Sequence, residues 1–180
     1  MYFAQFPLIN YDAVGNGNTK IVTHLLQRVA LHSKVDSMAT IYDVYDVKNG
    51  ETPEMIAHKL YDDAEYHWVV LLINNITDRY HQWPMNNRQF LAHLAERYDN
   101  MNATHHYEIN QVSGDTDVKI DIGLTNIDIN GNTIADATLV TNREYEESKQ
   151  DQLRRIQLLD AQYLDQFVED FERLVSNTED

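Results

Sequence analysis

The sequence predicts an α+β protein, and three observations carry that expectation. Helical periods run through residues 56–61, 64–75 and 87–98. Short runs rich in β-branched and aromatic residues, separated by turn signals, fill residues 107–140. An amphipathic stripe then occupies the last quarter of the chain. The expected divisions are an N-terminal arm and short helix (1–40), a core (41–100), a β-hairpin insertion (101–141), and a long C-terminal helix with its tail (142–180).

Residues 1–18 begin aromatic and apolar and turn polar around Gly15-Asn16-Gly17-Asn18. Neither a helical nor a strand period persists, so they read as an extended arm that needs a surface to lie on. Ile21, Leu25, Leu26, Val29 and Ala30 predict a short helix within Thr19–His32. Thr40–Val47 alternates and is β-rich, a strand. Asn49-Gly50 signals a turn. Thr52 and Pro53 then serve as N-cap and first helical residue, with Glu51 and Glu54 near the positive end of the helix dipole. Asp62-Asp63 breaks that helix. Ala64–Asn74 is apolar nearly all round and therefore central. Asn87–Tyr98 is a third helix. Residues 107–112, 118–124, 127–129 and 133–140 read as two to four strands, with Asn130-Gly131 as a hairpin signal. Asn142 caps the last helix, whose stripe is Leu153, Ile156, Leu159, Tyr163, Phe167, Phe171 and Leu174. About 33 residues make roughly 50 Å of helix. A compact globule of this length spans about 40 Å. The helix must bend around the body or keep part of its stripe for a partner.

Composition narrows the function. The net charge is -15 over 180 residues. That disfavours nucleic acid and anionic membranes as partners, since both are polyanions. Residues 1–50 hold four acids and four bases, so the acidity belongs to the rest of the chain. Residues 143–180 carry eleven acids against five bases, which selects a basic partner face. With no cysteine, disulfides, thiolate metal sites and thiol catalysis are excluded. The longest strictly apolar run, Trp68–Ile73, falls far short of the roughly 20 residues of a membrane span. The opening MYFAQFPLINY has no basic residue and an internal Pro, a poor signal peptide.

Catalytic motifs are missing. Gly15 and Gly17 precede Thr19-Lys20 without phosphate-loop spacing. No nucleophile elbow or H-E-x-x-H pattern occurs. His105 and His106 are adjacent, and neighbours on a strand point to opposite faces. His24 and His32 lack an intervening ligand. Asp115, Asp117, Asp121 and Asp128 do not fit a calcium loop and read as a solvated hairpin face. No cofactor, metal or catalytic residue is expected. The aromatics say more, because Tyr and Trp are enriched at interfaces. Tyr2, Phe3, Phe6 and Tyr11 of the arm, Tyr80 and Trp83 of a loop, and Tyr163, Phe167, Phe171 and Leu174 of the last helix are the expected partner-binding residues.

Residues 42–76 resemble the LysM pattern: a strand from Tyr42 to Val47, the turn and helix GETPEMIAHKLY (Gly50–Tyr61), then EYHWVVLLIN (Glu65–Asn74). The usual closing strand is not recognisable, and an aromatic loop, Ile76–Pro84, stands in its place. The wider chain resembles the LysM-like baseplate wedge family of contractile-tailed bacteriophages, wedge protein 53. The shared features include Phe6-Pro7, RVALHSKV (Arg28–Val35), the LysM-like core, the loop Asp78, Tyr80, Trp83, and His105-His106-Tyr107-Glu108. They end with the β excursion and the terminal helix bearing Arg155-Ile156.

That resemblance implies a non-enzymatic virion protein of the tail baseplate, assembled in the host cytoplasm. It implies clipping of neighbouring wedges into a multi-subunit ring around the hub. The implied partners are other wedge proteins and the sheath-initiating, lysozyme-like protein. A ring needs two different contact faces, which the arm and the long helix would provide. Two other readings make different demands. A single LysM-type module would bind peptidoglycan or chitin in a groove between Lys48–Thr52 and Ile76–Tyr80, with Asn49, Gly50, Asn74, Asn75 and Asp78 as its residues. A murein hydrolase would need a catalytic motif, and none is present.

Overall fold

The structure, a computed structural model, describes residues 6–25, 41–110 and 118–176. Two units share the chain: Met1–Trp83 with Arg155–Asp180, and Pro84–Arg154. The architecture is α+β, with short helices and three small antiparallel sheets among the described residues.

The first unit opens with a hairpin. Strand β1 (Leu8–Tyr11) pairs with β2 (Lys20–Thr23), Leu8 opposite Thr23 and Tyr11 opposite Lys20. Lys20–Thr23 was expected to be helical. Ile21, Val22 and Thr23 are β-branched, and the pairing with β1 overrides the helical spacing. The rest of that expected helix, and Arg28–Val35, lie outside the described residues. Asp12 holds the hairpin loop, accepting the backbone N–H groups of Val14, Gly15, Asn16 and Gly17 at 2.7–3.3 Å.

Strand β3 (Tyr42–Asp46) leads through the Asn49-Gly50 turn into helix α1 (Pro53–Tyr61). Thr52 caps α1 by accepting the Met55 N–H, and Pro53 supplies a fixed φ in the first turn. Asp62 ends it in the left-handed conformation, φ 58°. A 3-10 turn (Ala64–Tyr66) then feeds α2 (His67–Ile73). Trp68, Val69, Val70 and Ile73 of α2 are buried, as its all-round apolarity predicts.

The expected helix over 142–175 is not continuous. Helix α5 (Asn142–Arg154) stops, β7 (Arg155–Leu159) follows, and a 3-10 turn (Ala161–Tyr163) starts α6 (Leu164–Ser176). Strand β7 pairs antiparallel with β3 across the sequence, Tyr42 opposite Leu159 and Asp46 opposite Arg155. Without it, β3 would expose a row of unpaired amides over a hydrophobic core. Ile156 and Leu158 alternate inward while Arg155 and Gln157 face out, which suits a strand. Asp160 caps the following turn by accepting the Gln162 N–H.

The core of this unit joins β3, α1, α2, β7 and α6. Ile56, Val69, Val70, Leu159 and Val175 are almost fully enclosed. Each such side chain contributes about 1.5–3 kcal/mol through burial. Trp68 lies against Phe171 at 4.7 Å and Phe167 at 6.2 Å, and Phe6 meets Phe171 edge-on at 6.3 Å.

The second unit contains α4 (Asn87–Arg97), a sheet of β4 (Thr104–Asn110), β5 (Lys119–Gly123) and β6 (Thr138–Thr141) in the order β5-β4-β6, and α5. Of the four strand runs expected here, the third and the start of the fourth make only an isolated bridge, Ile127 with Thr133. A capping box at Asn86 and Gln89 starts α4. Thr141, rather than the expected Asn142, caps α5: its hydroxyl accepts the Glu144 N–H, and Glu144 reaches back to its amide and hydroxyl. Leu94 and Phe90 are buried in this unit. Among the described residues, no helix is long and apolar enough to cross a membrane.

Candidate functional site

The expected partner-binding residues separate by exposure. Tyr2 and Phe3 lie outside the described residues. Phe6, Trp83 and Phe171 are buried in the core, and Tyr163 and Phe167 pack against it half-covered. Their aromatic area is spent on folding the first unit. Tyr11, Tyr80 (88% exposed) and Leu174 (54%) face solvent.

The hairpin gathers further exposed apolar side chains of this unit. Leu8 is 69% exposed, Val14 80%, Ile21 72%, and Val22 and Leu25 are also open. A lone two-stranded ribbon is marginal by itself in water. Here Phe6, just before β1, anchors it in the core, while His24 N–H donates to the Pro7 carbonyl at its base. The strands thus present apolar side chains and open backbone edges on a ribbon fixed at one end.

The LysM-type groove residues meet another fate. Asn49, Gly50, Asn75 and Asp78 are exposed. The Asn74 amide, in contrast, is used within the fold. It donates to the carbonyls of Val70 and Gln157, both at 2.8 Å, and accepts the Gln157 N–H at 2.8 Å. One side chain thereby acts as a strand neighbour for β7 and a terminus for α2. Asp78 caps the short helix α3 (Arg79–Gln82) by accepting the Tyr80 N–H, and pairs with His81. The His81 ring and the Tyr80 N–H together hold the Asp78 carboxyl below its ordinary value.

Each loop that would flank a glycan is tied to the segment just beyond the other. The Trp83 indole N–H donates to the Glu51 carbonyl at 2.9 Å, and Arg79 pairs with Glu54. Glu51 also accepts from the Tyr45 hydroxyl, the Lys48 N–H and Lys59. Its carboxyl stays low despite burial, which opposes the charge, because Lys59, the Lys48 N–H and Tyr45 all favour the anion.

The second unit holds the strongest polar cluster. Glu146 is buried among donors and bases: Tyr98 donates to it at 2.9 Å, with Arg97 at 3.5 Å, Lys149 at 3.6 Å and His93 at 3.7 Å. Burial opposes its charge, but the Tyr98 hydrogen bond and the basic side chains outweigh it and hold the carboxyl low. Gln150, also buried, accepts the Met85 N–H.

His105 and His106 do not point apart as strand alternation implies. The register of β4 against β6 shifts between Thr104 and His106, so His105 sits in a bulge. Their Nδ1 atoms come within 2.9 Å, and His105 stacks on Tyr145 at 3.8 Å. Burial, His106 and Lys149 lower its pKa. Among the described residues, no three His, Asp or Glu side chains converge as a metal site. Of the acidic hairpin residues, Asp121 and Asp128 cap local N–H groups, and Asp115 and Asp117 lie outside the described residues. A cleft of about 430 Å³ beside His106 and Tyr145 has its charges engaged, Lys119 with Glu108 and Glu144 with Thr141.

Among the described residues of the first unit, the exposed side chains include an apolar ribbon, a projecting tyrosine and a leucine beside acidic residues. No curated protein matches the chain. The family model of base plate wedge protein 53 matches residues 1–120, two thirds of the sequence. The chain belongs to that family: it is a structural component of the phage tail baseplate, and not an enzyme.

Proposed function

We propose that this chain clips neighbouring baseplate wedges together and docks mainly through its β1–β2 hairpin. The observation that carries this reading is the ribbon itself. Leu8, Val14, Ile21 and Leu25 are exposed on a segment held to the core at its base. Burying such side chains against a neighbour yields about 25 cal/mol per Å² of apolar area. Tyr80 and Leu174 add a second contact, which ring assembly through unlike faces requires. The α6 residues Asp165, Glu169 and Glu172 near Leu174 are exposed and favour a basic partner surface. The partners are other wedge proteins and the sheath-initiating, lysozyme-like protein, joined in a multi-subunit ring within the host cytoplasm.

The first unit is a LysM-like module in this reading. Its β3, α1, α2 and β7 give the βααβ order, with the second unit inserted before the closing strand. A glycan-binding role gains no support from the groove. Asn74 is engaged by β7, Trp83 bonds the Glu51 carbonyl of one flanking loop, and Arg79 of the other pairs with Glu54 in α1. Retention on peptidoglycan or chitin is expected to be absent.

The test is incorporation into baseplate wedges on co-expression with the other tail proteins. Ile21→Asp and Leu8→Asp should abolish incorporation while shifting the melting temperature little, since exposed substitutions usually change stability by no more than about 0.5 kcal/mol. Normal incorporation of the quadruple variant that also carries Tyr80→Ala and Leu174→Asp would refute the clip.

A further inference from the structure

Three Asn-Gly pairs lie in the described chain: Asn16-Gly17, Asn49-Gly50 and Asn130-Gly131. Such a pair is chemically labile when the glycine amide is free. That nitrogen, losing its proton to solvent base, attacks the asparagine Cγ. The new N–Cγ bond closes a succinimide, the Cγ–Nδ2 bond breaks, and ammonia leaves. Water then opens the ring at either carbonyl, giving aspartate or isoaspartate.

Space does not distinguish the three sites. All three glycines have positive φ, between 80° and 84°, with nothing within 4 Å of where a Cβ would stand. The amide does distinguish them. The Gly17 N–H donates to Asp12 Oδ2 at 2.7 Å. The Gly131 N–H donates to the Asp128 carbonyl at 3.0 Å. The asparagine side chains do not distinguish the sites: Asn16 Oδ1 accepts the Asn18 N–H, the Asn130 side chain bonds Asp128, and Asn49 is engaged too. In the turn between β3 and α1 the closing bond runs from the Glu51 N–H to the Lys48 carbonyl, and among the described residues the Gly50 N–H has no acceptor. Both Asn49 and Gly50 are exposed.

We propose that Asn49 is a selective site of spontaneous deamidation, chosen by the free Gly50 amide. The product places a new carboxylate two residues before Glu51, at the entry to α1. In its isoaspartate form the main chain gains a methylene inside the turn that the 3.0 Å Lys48–Glu51 bond closes. This inference does not depend on the docking role.

The full-length chain, incubated at mildly alkaline pH, is digested with trypsin and mapped by mass spectrometry with isoaspartate labelling. The peptide Asn49–Lys59 should convert faster than those holding Asn16 or Asn130, by roughly five- to tenfold, the factor that one net hydrogen bond represents. In denaturant the three rates should converge. Asp12→Ala frees the Gly17 amide and should raise conversion at Asn16 towards that at Asn49. Equal or slower conversion at Asn49 in the folded chain, a ranking unchanged in denaturant, or no acceleration in Asp12→Ala would each overturn the proposal.

Discussion

Glu146 gives the second unit an acid-sensitive contribution to its stability. Its carboxyl is buried on α5 yet stays ionised, because Tyr98, Lys149, Arg97 and His93 converge on it. Its folded value lies below the ordinary 4.5. The cluster therefore stabilises the fold fully above that ordinary value and loses its contribution as pH falls through the lower, folded one. Amide hydrogen exchange in β4 and α5 should show protection falling below about pH 4.5. Glu146→Gln should be less stable at neutral pH and flatter over that acid range. The same acid dependence in Glu146→Gln would assign the effect to other carboxylates. Asn74 works differently, through geometry rather than charge. In the sequence it is merely the asparagine after an apolar run, and only β7, far along the chain, gives its amide a purpose.

At the scale of elements, the limits of α1 and the burial of α2 are the most legible features. Thr52-Pro53 starts α1, Asp62-Asp63 ends it, and the apolar run from Trp68 becomes the buried α2, each by local physics. Strand β7 was not legible, because Ile156, Leu159 and Tyr163 fit helical spacing while Ile156 and Leu158 fit alternation. Its pairing partner decides between them, and that partner is β3. One local signal did point to the break: Asp160 is an N-cap residue in the middle of the supposed helix. Asp160→Ala should therefore destabilise the protein by about 1 kcal/mol, the usual worth of a cap. In a continuous helix the same change would be neutral or stabilising, since Ala is the better helix former. Thermal melting gives the sign. The hairpin is hidden in the sequence for a related reason. Lys20–Thr23 has too few residues to favour one period over another, and β1 settles it. Among site residues, exposure could not be read from aromatic character: Phe6 and Trp83 look like anchors for a partner and are anchors for the fold.

The whole molecule is an interrupted one. Its first unit is built from both ends of the chain, while the second, Pro84–Arg154, draws all its elements from one stretch. A chain truncated after Arg154 should therefore retain the protected sheet and helices of the second unit. It should leave Trp68, Val69 and Val70 without β7 and α6, and limited proteolysis should cut freely between β3 and α2. Resistance there would mean that β3, α1 and α2 close a core unaided. The β3–β7 pairing also orders events during synthesis. A ribosome releases Tyr42–Asp46 long before it makes Arg155–Leu159, so the second unit can fold while the first still waits for its last strand. The long sequence separation makes that closure the slow, high-contact-order step. Synthesis through β7 and α6 thus acts as a checkpoint on the first unit. A chain that stops before them lacks the strand and the helix that complete the core in which the hairpin is anchored.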